Sequence, residues 1–149
     1  GYVTDRIANL LRIRGFSHVL VDLGEQRALG PKRDGTPWVV VRHRLREIEL
    51  RNGALATSEG AGCILGAKGA VHHLFDPRTG RSSHRWRALT VHHDSAAIAD
   101  ALSTALYSAA RDEITTLVNK FDGLIVWASD HSGRESRWDS TVRATGTGS

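Results

Sequence analysis

One cysteine in 149 residues, Cys63, removes two ways of holding a small fold together. It cannot close an internal disulfide and cannot furnish a multi-thiolate zinc site, so stability has to come from packing. No stretch approaches the ~20 apolar residues of a membrane-spanning helix. The opening residues carry no basic segment followed by an apolar one, so no membrane anchor is expected in this chain. Gly-x-Ser-x-Gly is absent, as are a Walker-type loop and the dinucleotide glycine fingerprint, which removes the readable signatures of several hydrolase and nucleotide-binding classes. No internal repeat is visible. No basic helix, zinc-finger spacing or aromatic-laced RNA-binding motif is present, so nucleic acid is not the expected partner.

What is present is a globular composition, 40% hydrophobic and 24% charged, of a length that predicts one domain. Twenty Lys and Arg against sixteen Asp and Glu leave a net charge of +4. The basic residues are dispersed: Arg12 and Arg14, then Arg42, His43, Arg44 and Arg46, then Arg78 to Arg87. Dispersed charge of this size fits a solvated surface. Anion or phosphate binding is the other reading.

Ile7, Leu10 and Leu11 fall at three- and four-residue spacings, which predicts an amphipathic helix over Thr4 to Arg14, stopped at Gly15. His18 to Leu23 and Trp38 to Arg42 read as strands. Glu47 to Leu50 and Ala54 to Thr57 flank Asn52-Gly53, a hairpin signal that predicts two paired antiparallel strands. Glycines at 60, 62, 66 and 69 mark a loop with a short strand at Cys63 to Leu65, and another strand follows at His72 to Phe75. Asp76 to Gly80 is a turn by composition, and Ala88 to His92 a strand. Ser95 predicts the N-cap of a helix running to about Ala110. A second helix covers Asp112 to Phe121, and Leu124 to Ala128 reads as a buried strand. The domain is expected to span 1–128, with a polar, disordered tail over 129–149 that frays from Thr141. This order predicts an α+β fold, a mixed, largely antiparallel sheet packed with helices.

Two features could carry chemistry. Asp100 and Thr104 lie one helical turn apart, so a carboxylate and a hydroxyl can converge on one hard cation such as Mg²⁺. The competing reading pairs Asp100 on the surface and bonds Thr104 back to the preceding turn. His73, at a strand end beside the Asp76-Pro77-Arg78 turn, can carry a proton near neutral pH, and Arg78 can meet a phosphate. Ordinary turn chemistry explains the same residues. The pairs His72/His73 and His92/His93 hint at zinc, but adjacent strand residues face opposite ways, so each pair offers only one ligand to a side.

In order, several segments resemble the ApbE-type FAD:protein FMN transferases. They are Gly1-Tyr2-Val3-Thr4-Asp5, Asp22-Leu23-Gly24 leading to Ala28-Leu29-Gly30, Pro37-Trp38, Ala56-Thr57-Ser58, His73 to Gly80, Thr90-Val91 and Ala99 to Ala105. The resemblance covers about residues 1–128 and corresponds to the C-terminal half or so of a full-length member. It implies cleavage of the FAD pyrophosphate with Mg²⁺, and attachment of FMN to a Thr or Ser of an acceptor flavoprotein. By the same resemblance Asp100 and Thr104 are Mg²⁺ ligands and His73 is the base. Asp5, Thr57, Ser58 and Asp76 then lie near the flavin nucleotide. The family's Gly-Gly-acidic sequence reads Gly24-Glu25-Gln26 here, and Glu59 stands where the family usually has Gly. A catalytically impaired flavin-binding module of the same family is the alternative, and a basic anion-binding domain without flavin a third. Localisation stays open, with the cytoplasm slightly favoured for this chain and relatives often exported.

Overall fold

The computed structural model describes residues 1–42, 46–65 and 71–140. Helix α1 (Tyr2–Ile13) buries Thr4 and Ala8 and exposes Val3, Leu10 and Ile13. The chain leaves it through Gly15 at φ +86°. Strands β1 (Val19–Asp22) and β2 (Gln26–Leu29) form a hairpin closed by Gly24 at φ +106°, a conformation that glycine adopts without penalty. Strands β3 (Trp38–Arg42) and β4 (Arg46–Leu50) pair with each other. Next come β5 (Gly53–Glu59), a single 3₁₀ turn at Gly60–Gly62 and the two-residue strands β6 (Ile64–Leu65), β7 (Val71–His72), β8 (Phe75–Asp76) and β9 (Arg81–Ser82). The chain ends its described part with β10 (Ala88–His93), α2 (Ala96–Leu106), α3 (Arg111–Val118), β11 (Ile125–Ser129) and β12 (Glu135–Asp139).

Six strands make the main sheet in the order β1-β2-β5-β10-β11-β12, antiparallel at every step. This is the α+β, largely antiparallel architecture that the order of elements predicts. Central β5 and β10 are covered on both faces. On one face Ala56, Leu89, Val91 and Val126 pack against Ala99 and Leu106 of α2 and Ile114 and Val118 of α3. On the other, Ala28 and Leu55 pack against Val40 and Leu50 of the β3–β4 pair. Fully buried Leu55, Leu89 and Ile114 each contribute roughly 1.5–3 kcal/mol of apolar transfer. Among the described residues no helix is long and apolar enough to cross a membrane.

Three sequence expectations change. Asn52-Gly53 does not close a β4–β5 hairpin, because β4 pairs with β3 whereas β5 pairs with β2 and β10. The turn is a corner between two sheets: Leu50 and Leu55 belong to one apolar cluster, and Gly53 takes φ +89° at the corner. Gln26 to Leu29, which the sequence offers only as part of a motif, forms strand β2. Residues 135–139, placed by the sequence in the polar tail, form β12, where half-buried Ser136 and Trp138 alternate with exposed charges. Trp138 packs edge-on against Trp86 at 5.9 Å, and its indole N–H donates to Thr115 Oγ1 at 3.1 Å. The segment 141–149, expected to fray, lies outside the described residues, as do His43, Arg44, Gly66 and Gly69.

Candidate active site

The site begins with the placement of α2. Ser95 caps it from within the sequence, its Oγ accepting from the Ile98 N–H at 3.3 Å. Asp5 of α1 caps it from a distance. One carboxylate oxygen accepts from the Ala96 N–H at 2.9 Å, and the other from the Ala97 N–H at 3.0 Å and the Ser95 hydroxyl at 2.7 Å. These amides would otherwise be unpaired at the helix start, where the dipole also favours negative charge. Arg27 Nε completes the arrangement 3.4 Å from Asp5 Oδ1. Burial pushes the Asp5 carboxyl upward, but the Ala97 and Ala96 amides, the Ser95 hydroxyl and Arg27 overcome it and hold the group below the ordinary carboxylate range.

With α2 held, Asp100 and Thr104 present one face to β5. Thr104 Oγ1 lies 3.3 Å from Ser58 Oγ, which also shares a 2.9 Å hydrogen bond with Ser103 Oγ. Buried Ser103 donates back to the Asp100 carbonyl at 3.0 Å. Asp100 Oδ2 accepts from the Gly1 nitrogen at 2.9 Å, and Glu25 Oε2 lies 3.1 Å from the same atom. Thr4 donates its hydroxyl to Glu25 at 3.1 Å. Two carboxylates from distant elements therefore approach the Gly1 nitrogen.

Thr57 and Ser58 are adjacent on β5, so their side chains leave on opposite faces. Ser58 points to α2, while Thr57 Oγ1 shares a 2.9 Å hydrogen bond with Thr90 Oγ1 across the β5–β10 ladder. His73 is exposed, with Nδ1 3.3 Å from the Cys63 carbonyl. A carbonyl only accepts, so Nδ1 carries the proton there and Nε2 is left as the basic nitrogen. Its neighbour His72 is buried, with Nε2 2.9 Å from the Ser83 carbonyl and Nδ1 accepting from the Leu74 N–H. The Leu74 bond requires the neutral ring, because Nδ1 accepts in it, whereas the Ser83 bond is one in which Nε2–H donates. Burial, followed by the charges of His84, His73 and His131, holds His72 below the ordinary histidine range despite the Ser83 bond.

Thr57, Ser58, Glu59, Cys63, His73, Asp100 and Thr104 line one open cleft of about 420 Å³. Five of the seven residues singled out in the sequence therefore meet there. Asp5 lies outside it, as the cap of α2. Asp76 lies outside it too: it accepts from the Arg78 amide at 2.9 Å and pairs with Arg78 Nε at 3.0 Å, while Arg78 reaches Glu113 on α3. Sequence reasoning missed Ser103, which has no signal beyond its place one residue before Thr104, and Glu25, noticed only as part of a shortened glycine motif. Asp100, Thr104 and Ser58 supply hard oxygen donors, which fits a Mg²⁺ ion that takes the rest of its shell from water or phosphate. Among the described residues no three His, Cys, Asp or Glu side chains group to hold a metal by themselves.

The ApbE family model matches residues 1–127. The chain is similar to the ApbE protein of Thermotoga maritima, with 29% identity and a TM-score of 0.79 over 92% of this chain and 48% of that one. It is similar also to the flavin transferase ApbE of Vibrio cholerae in a histidine-to-glycine mutant, with 26% identity and a TM-score of 0.69 over 94% and 45%. The apo flavinyl transferase ApbE of Pseudomonas stutzeri gives 26% and 0.71 over 94% and 44%. The chain thus spans about half the length of the solved structures it matches. No curated protein sequence matches it significantly. With the family model covering most of the chain and the same α+β sheet recurring in these structures, the protein belongs to the ApbE family.

Proposed function

We propose that this chain carries the chemical centre of an FAD:protein FMN transferase. The observation that carries this reading is the meeting of His73, Ser58, Asp100 and Thr104 in one cleft. Asp100 and Thr104 would hold a Mg²⁺ ion, which when bound neutralises charge on phosphate oxygens. Ser103 holds the Ser58 hydroxyl beside Thr104, and Asp5 fixes the helix from which both metal ligands project. Thr57 and Ser58 border the flavin nucleotide; Asp76 acts through the turn that follows His73.

His73 Nε2 accepts the proton of the acceptor Thr or Ser hydroxyl as its oxygen attacks the FMN-side phosphorus of FAD. The bond from that phosphorus to the bridging oxygen breaks, AMP leaves with the bridging oxygen, and FMN remains joined to the acceptor through a phosphoester. Incubation with FAD, Mg²⁺ and an acceptor flavoprotein, following AMP release and protein-bound flavin, tests the reading. The expected result is metal-dependent AMP release that Asp100→Ala and His73→Ala each reduce at least about a hundredfold, the usual contribution of a positioned base. Flavin binding without cleavage would support the binding-module alternative.

A further inference from the structure

A second concavity lies on the helix-bearing face of the sheet, at the opposite end of α1 from Asp100. Twelve helical residues separate the two ends by about 18 Å. Arg12 and Phe16 from the exit of α1, Arg27 and Leu29 from β2, Pro31 and Arg51 surround a groove of about 460 Å³. Three guanidinium groups line it and no carboxylate does. Only Arg27 has an acidic partner, Asp5 at 3.4 Å, and it is pinned further by donating to the Ala28 carbonyl at 3.2 Å. Arg12 donates to Asn9 Oδ1 at 3.0 Å and Arg51 to the Gly35 carbonyl at 2.6 Å, both neutral acceptors. Among the described residues neither has a carboxylate partner, so each keeps its full charge and spare N–H donors.

The walls are built rather than draped. The Trp38 indole donates to the Gly30 carbonyl at 3.0 Å, and the His18 ring meets the Pro31 carbonyl at 2.8 Å. Gly30 sits at φ +68°, where a Cβ would come within 2.4 Å of the Ser17 carbonyl oxygen. Only glycine lets the two rims approach that closely. Apolar walls beside like charges focus the field of those charges into the groove. Its volume falls in the ~300–1,000 Å³ range of small-molecule sites. Phe16, 49% exposed, offers a ring face, while the unpaired guanidiniums of Arg12 and Arg51 offer the forked geometry that suits phosphate.

We propose that this groove binds a nucleoside monophosphate, its phosphate held by Arg12 and Arg51 and its base laid against Phe16. The site is separate from the Asp100 cleft and does not depend on the reaction proposed there. Calorimetric titration of the full chain with AMP, in low salt without divalent metal, tests it; inorganic phosphate and adenosine serve as comparison ligands. Saturable binding is expected, retained in Asp100→Asn and weakened at least tenfold, about 1.4 kcal/mol, in the Arg12→Gln/Arg51→Gln double variant. Phe16→Ala should weaken AMP but leave phosphate unchanged. The three substituted side chains are exposed, and unchanged melting temperatures would verify that the variants fold. No saturation by AMP up to about 5 mM, equal affinity for AMP and phosphate, indifference to the double variant, or loss in Asp100→Asn would each overturn the assignment.

Discussion

Replacing Asp5 with alanine removes three hydrogen bonds from the start of α2 at once. Two of them serve the backbone N–H groups of Ala96, which is fully buried, and Ala97, which is partly so. A buried donor left unpaired costs about 1–3 kcal/mol, and loss of a cap typically about 1 kcal/mol. Arg27, whose side chain is only 13% exposed, loses its counter-charge in the same step. These terms overlap, so about 3 kcal/mol is expected, or roughly 6–12 °C in melting temperature for a domain of this size. Urea denaturation followed by circular dichroism measures it. Asp5→Asn, which keeps one acceptor oxygen, should recover about a third to a half of the loss. The pH dependence has a fixed sign. Because the carboxyl lies below its ordinary value in the folded chain, its contribution is complete above about pH 3.9 and is lost as pH falls through the lower folded value. The gap between wild type and Asp5→Ala should therefore close in acid. A loss under about 0.5 kcal/mol at pH 7, or a gap that widens in acid, would refute the reasoning.

Gly60→Ala would place a Cβ 2.8 Å from Tyr107 Oη and 2.9 Å from the His72 ring; a loss of about 1–3 kcal/mol is expected from the forced repacking, read by urea midpoint. Trp138→Ala deletes the edge contact with Trp86 and the bond to Thr115, and should cost about 2–3 kcal/mol. A neutral effect would mean that β12 contributes nothing to the fold. Neutral His72 contributes stability that is complete above about pH 6.5 and declines as pH falls toward its lower folded value. Melting temperatures between pH 7.5 and 5.5 should fall more steeply in wild type than in His72→Gln.

Local signals in the sequence located most of the framework. The three- and four-residue spacings of Leu10 and Leu11 from Ile7 placed α1, Ser95 capped α2 as read, and apolar runs marked β10 and β11 because both are largely buried in the sheet. Signals failed where partners are remote. Asn52-Gly53 has the chemistry of a hairpin, yet β4 pairs with β3 and β5 with β2 and β10, which makes it a corner between sheets whose Leu50 and Leu55 share one apolar cluster. Strand β12 shows only Ser136 and Trp138 as inward residues, too weak an alternation to separate from a polar tail. The cleft itself was legible through resemblance: spacing joined Asp100 to Thr104 but could not bring His73 or Ser58 to them. The capping role of Asp5, whose partners lie ninety residues away, had no local trace at all.

The path of the chain around the cleft has a bearing on what changes of length the cleft tolerates. Strand β5 ends at Glu59 and β10 begins at Ala88, and these two residues face each other across the ladder. The segment that carries His73 is thus an insertion whose two ends are already tied together by the sheet. Lengthening such a closed loop is entropically cheap, about 0.6 kcal/mol for each doubling, and it leaves the β5–β10 register untouched. Asp100, Thr104 and Ser58 sit on α2 and β5, outside this insertion, and His73 lies within it. Residues between Glu59 and Ala88 can therefore change in number while α2 and β5 keep the oxygen-donor half of the cleft in place.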